Sequence, residues 1–112
     1  GKGKIFFTGA TASRRGGKGY AAFASAKFGL KAVAEAMARE LWPQHIHVAH
    51  LTIDAGVDTA WVRQIIKDRG GPDDPKGLMP AEAIADAYWE LFRQPETAWT
   101  FEKEIRPYGE TW

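Results

Sequence analysis

The sequence predicts an α/β chain built on a parallel sheet. Three observations predict it. Apolar runs of strand length, Ile5-Phe6-Phe7 and His47 through Ile53, flank a long alanine-rich stretch that ends at Pro43. Glycine-rich segments fall between these elements. A strand–helix–strand order of this kind closes as a right-handed crossover between parallel strands.

Each element follows from its own residues. Residues 4–9 read as a buried strand, apolar through Ile5, Phe6 and Phe7 and ending at Gly9. Residues 10–19 carry glycines and hydroxyl side chains and read as a loop. Residues 20–42 predict a long helix, rich in alanine and stopped by Pro43. On it Ala24, Leu30, Val33, Ala34, Met37 and Leu41 recur at helical spacing, and small residues on both sides permit close approach. Residues 45–53 read as the second strand, and 59–68 as a short helix with Trp61, Val62, Ile65 and Ile66. The glycine, proline and aspartate content of 70–77 marks a loop. Pro80 opens a last helix over 81–93, with Ile84, Ala87, Tyr88 and Leu91 on one face. Residues 98–106 alternate less cleanly and read as an edge strand. Three strands and three helices leave the edge at Ile5-Phe6-Phe7 without a neighbour, so either a further segment or a second copy is expected to cover it.

Composition bounds the chemistry. The 112 residues are 45% hydrophobic and 26% charged, with a formal charge of +1, which predicts a soluble, globular protein and gives no reason to expect nucleic acid; the expected compartment is the cytoplasm. Lys2, Lys4, Arg14, Arg15 and Lys18 form a local basic cluster, read either as a solvated loop or as a contact for an anionic group. The absence of cysteine excludes disulfide and thiol chemistry. No apolar run approaches the roughly 20 residues of a membrane span.

The segment Gly16-Gly17-Lys18-Gly19-Tyr20-Ala21-Ala22-Phe23-Ala24-Ser25-Ala26-Lys27-Phe28-Gly29-Leu30 carries the sharpest signal. It resembles the catalytic helix of the short-chain dehydrogenase/reductase family, in which a glycine-rich turn leads into Tyr-x-x-x-Lys. A spacing of four puts both side chains on one helix face. In that family the lysine lowers the tyrosine pKa, and the phenol trades a proton with substrate while a nicotinamide exchanges hydride. Here Lys27 is present, but Phe23 stands at the tyrosine position and has no proton to give. The family's serine lies thirteen residues earlier, where this chain has Ala10; Thr8, Thr11 and Ser13 are the nearby hydroxyls. Tyr20 is the nearest phenol, but a helical turn displaces it by about 5 Å, too far for proton transfer at the same point.

The resemblance extends to both strands, Lys4 through Ala10 and His47 through Ile53. After the second, the family's Pro-Gly-x-Val/Ile-x-Thr is met by Asp54-Ala55-Gly56-Val57-Asp58-Thr59, in which Val57 and Thr59 fit. The resemblance implies that Lys27 holds the nicotinamide ribose and that Val57 and Thr59 meet its carboxamide. It implies NAD or NADP in a full-length form, with none bound to this chain alone, and a small carbonyl or alcohol substrate. It also implies a homodimer or homotetramer, through Ala32, Ala36 and Leu41 or through Tyr88, Trp89, Phe92, Trp99 and Phe101. The family fold needs roughly twice this length and a glycine-rich turn ahead of its first helix. Gly1-Lys2-Gly3 precedes a strand and cannot serve. The resemblance thus implies that residues 1–112 are the C-terminal half of such a domain, a partial Rossmann-like, doubly wound parallel sheet without its dinucleotide-binding half.

Other groups have plainer readings. His45 and His47 share a strand face while His50 points away, so no metal site is expected. Asp54 and Asp58 sit where open α/β sheets place ligands, as a base, a ligand contact or helix-capping carboxylates. Trp42, Trp61, Trp89, Trp99 and Trp112 are expected in core and interface positions. Two functional readings remain: an oxidoreductase-like protein that binds NAD(P), and a non-catalytic protein that keeps the scaffold for binding or assembly.

Overall fold

Strand β1 (Gly3–Ala10) begins the sheet, and its apolar residues Ile5, Phe6 and Phe7 are half-buried. The computed structural model describes residues 2–13 and 15–112. A 3-10 turn (Thr11–Ser13) follows, then helix α1 (Ala21–Leu41), a second 3-10 turn (Trp42–Gln44), strand β2 (Ile46–Ile53), helices α2 (Ala60–Asp68) and α3 (Ala81–Arg93), and strand β3 (Glu102–Ile105). The three strands run parallel in the order β1-β2-β3, with Phe7 level with His50 and Ile53 level with Ile105. Among the described residues the outer edge of β1 carries no partner strand, as the sequence predicts.

β2 is the centre of the sheet, buried from His47 to Ile53. Register sorts its side chains. Ala49 and Leu51 pack with Ala87 and Leu91 of α3, joined by Phe6, Tyr88 and Ile105. His50 lies on the opposite face with Phe7 and Gly9, the face that α1 covers. Gly9 is required there: a Cβ would lie 2.4 Å from His50 Cε1 and 2.7 Å from Ser13 Oγ.

Two elements depart from the sequence pattern. The buried stripe of α1 is Ala24, Ala34 and Ala38, and Val33 is turned to solvent. Alanines let the helix lie close to β2, and this leaves the larger Leu30, Met37 and Leu41 half-buried at the flanks. β3 is shorter than the predicted 98–106. Residues Glu96–Ala98 form a 3-10 turn, and the Gln94 amide holds Thr100 from two sides, accepting its N–H at 2.8 Å and donating to its hydroxyl at 2.9 Å.

The histidines and tryptophans also resolve. His45 precedes β2 in a left-handed conformation (φ 67°) and faces Glu96 at 3.0 Å, so it shares no strand face with His47. His47 stacks on Trp99 at 4.6 Å, edge-on to Trp42 and Phe6, and its Nε2 is 2.8 Å from the Thr100 carbonyl. Trp42 and Trp99 thus lie half-buried around His47, whereas Trp61, Trp89 and Trp112 are exposed. On α3, Trp89 and Phe92 stack together on the outer surface at 5.3 Å. No helix of the described residues is long and apolar enough to cross a membrane.

His47 and His50 give the fold a pH dependence. Burial holds both below the ordinary value of 6.5. For His47 the Thr100 carbonyl opposes this and Lys4 adds to it; for His50 Glu102 opposes, and Lys31 and Lys27 add. Each ring therefore takes up its proton at a lower pH in the folded chain than in the unfolded chain, where it does so near 6.5. Their contribution is complete above that pH and is lost as pH falls below it. The urea midpoint is expected to drop between pH 7 and pH 5, and to drop less in His50→Gln. A midpoint flat across that range would contradict this account.

Candidate functional site

The C-terminal ends of all three strands meet at one end of the sheet, where parallel α/β folds bind their ligands. Three segments reach it: the turn after β1, the first turns of α1, and Asp54–Thr59 after β2. Lys27 and Phe23 lie one turn apart on α1, as their spacing predicts. The Lys27 amine donates to the Thr8 carbonyl at 3.3 Å and stands 5.8 Å from the centre of the Phe23 ring. Phe23 is 47% exposed and lines a pocket of about 300 Å³ with Thr11, Ala12, Arg15, Gly16, Gly17 and Tyr20. Ala10, at the end of β1, offers only its backbone N–H, which donates to Ser13 Oγ at 3.0 Å.

The three hydroxyls near Ala10 separate cleanly. Thr8 is paired with the Tyr88 hydroxyl on the α3 face. Ser13 is fully buried against Gly9. Thr11 alone of the three lines the pocket. Tyr20 lines it too, from the residue preceding α1, where its backbone is not helical.

Asp54 organises this end of the sheet. It is fully buried. Its Oδ1 accepts from the Thr11 hydroxyl at 2.5 Å and lies 3.6 Å from Arg15; its Oδ2 accepts from Arg106 Nε at 3.0 Å. Burial by itself would raise this carboxyl's pKa. The hydrogen bonds from Thr11 and Arg106, with the charges of Arg15 and Arg106, outweigh burial and hold it below the usual range. Arg106 also reaches Glu104 at 2.9 Å and lies 4.0 Å from the Trp112 ring centre, so the C-terminal segment is tied to the same carboxylate.

Of the residues after β2, Val57 bridges to Met79, and Thr59 caps α2 by accepting from the Val62 N–H at 3.1 Å. That cap is made by Thr59 and not by Asp54 or Asp58. Asp58 instead takes a two-pronged hydrogen bond from Arg63, at 2.6 and 3.1 Å. Of the basic cluster, Arg15 reaches the site, and Arg14 lies outside the described residues. Arg106 carried no local signal in the sequence, because its partner Asp54 is 52 residues away.

Residues 1–70 match the family model of the short chain dehydrogenases. The chain belongs to that family. A solved short-chain dehydrogenase from Rhodopseudomonas palustris is 57% identical, with a TM-score of 0.69 over 96% of this chain and 40% of its own. The closed form of serine dehydrogenase complexed with NADP+ is 17% identical, with a TM-score of 0.76 over 97% of this chain and 46% of its own, and shares the fold. This chain spans less than half the length of either. No curated protein matches it. The membership accounts for the parallel α/β sheet and for the helix that carries Lys27.

Proposed function

We propose that these 112 residues are the C-terminal half of an NAD(P)-dependent oxidoreductase acting on a small carbonyl or alcohol, assembled as a homodimer or homotetramer in the cytoplasm. One observation carries the reading: the Lys27 amine sits at the C-terminal end of β1, hydrogen-bonded to the Thr8 carbonyl and one turn from the pocket residue Phe23. In this reading Lys27 holds the nicotinamide ribose, and Val57 and Thr59 meet the carboxamide. The Thr59 hydroxyl accepts from Val62, so its own proton stays free for the amide oxygen. The NADP+ in the serine dehydrogenase relative supports the cofactor class.

A second reading is a non-catalytic binding protein on the same scaffold. Phe23 and Ala10 favour it, since neither carries a proton to exchange.

NADPH and NADH titrations of the full-length protein test the first reading. Lys27→Ala is expected to weaken binding by about tenfold or more, the worth of a hydrogen bond to a charged donor. Affinity unchanged by Lys27→Ala overturns the role of Lys27. The chain of 112 residues by itself is expected to reduce no carbonyl compound with either cofactor. Sedimented at micromolar concentration, the full-length protein is expected to run as a dimer or tetramer, and a clean monomer refutes that part.

A further inference from the structure

Among the described residues lining the 300 Å³ pocket, Arg15 is the one ionic side chain. Tyr20, Phe23 and Ala12 supply apolar and aromatic wall, and Thr11 supplies a hydroxyl already donated to Asp54. Among the described residues the Arg15 guanidinium makes no hydrogen bond. Its partner is Asp54 Oδ1 at 3.6 Å, beyond hydrogen-bonding distance. Asp54 has closer partners in Thr11 and Arg106. The buried carboxylate therefore holds Arg15 by charge without occupying its donors. The Arg15 side chain remains 46% exposed. A planar fork of five donors, beside aromatic surface and with its donors unoccupied, matches a planar anion that carries an apolar body.

We propose that this pocket takes a small aromatic carboxylate, its anionic end on the Arg15 guanidinium and its ring against Tyr20 and Phe23. The substrate class of the site is then a carbonyl or alcohol that also bears a carboxylate. This step rests on the pocket being the substrate side of the site proposed above.

Benzoate and benzamide are matched probes, alike in ring and differing in charge. Calorimetric titration of the full-length protein, at low salt and without nicotinamide, is expected to show benzoate binding about tenfold tighter than benzamide, the margin of a charge-assisted bidentate pair. Arg15→Gln is expected to erase that preference, and Arg15→Lys to keep part of it, because lysine retains the charge without the fork. Equal binding of the two probes, no binding of either at millimolar concentration, or a preference that survives Arg15→Gln overturns the proposal. The dinucleotide titrations fail separately. A retained benzoate preference with no NADPH or NADH binding removes the oxidoreductase reading and keeps the anion site. Dinucleotide binding without a benzoate preference does the reverse.

Discussion

Phe23→Tyr combined with Ala10→Ser in the full-length protein is expected to raise kcat for carbonyl reduction by about 100-fold or more, the range that a positioned general acid supplies. The scaffold for the repair is in place. Phe23 lines the pocket, and the Lys27 amine already stands 5.8 Å from its ring centre, where it would favour an ionised phenol. Ala10 closes β1 beside the buried Ser13, so a serine there adds one hydroxyl at the strand end without disturbing the core. Each single substitution is expected to gain much less than the pair, because the two hydroxyls act on one oxygen. NADPH oxidation under single-turnover conditions measures the chemical step. An unchanged rate in a double variant that still binds dinucleotide would assign the scaffold to binding and not to turnover.

What the sequence discloses about this site depends on the distance between partners along the chain. Lys27 and Phe23 are four residues apart on a helix, so their common face follows from geometry alone. The strand and helix order follows equally from apolar runs, alanine content and proline stops, all of which act within a few residues. The face of α1 that touches the sheet does not. Val33 fits the apolar repeat but faces solvent, since close packing on β2 selects the small Ala24, Ala34 and Ala38. The start of β3 is equally hidden, because the Gln94 side chain, and not strand propensity, fixes where Thr100 sits. Asp54 stood out only as a carboxylate at a strand end. Its partners Thr11 and Arg106 are 43 and 52 residues away and become neighbours only when the three strand ends meet.

That convergence makes Asp54→Ala the substitution with the largest expected effect on stability, a loss of about 3 kcal/mol, as for breaking a buried ion pair. The carboxylate is fully buried, and its removal leaves the Thr11 hydroxyl and the Arg106 guanidinium facing a cavity. Asp54→Asn is expected to lose less, because the amide oxygen still accepts one hydrogen bond while the attraction to Arg106 and Arg15 disappears. The pH dependence has a definite sign. The folded pKa lies below the ordinary 3.8, so Asp54 stabilises the fold above that pH, and the contribution is lost as pH falls further. Acid unfolding of the wild type should therefore steepen below about 3.8 relative to Asp54→Asn. Urea melts at neutral pH read the main effect, and the double variant with Arg106→Met isolates the pair. Asp54→Ala and Arg106→Met are each expected to destabilise the chain, and together by less than their sum. If Asp54→Ala melts within about 0.5 kcal/mol of the wild type, the carboxylate does not hold the pocket loop to the C-terminal segment. The loop carrying Thr11 and Arg15 must then be fixed by its backbone alone.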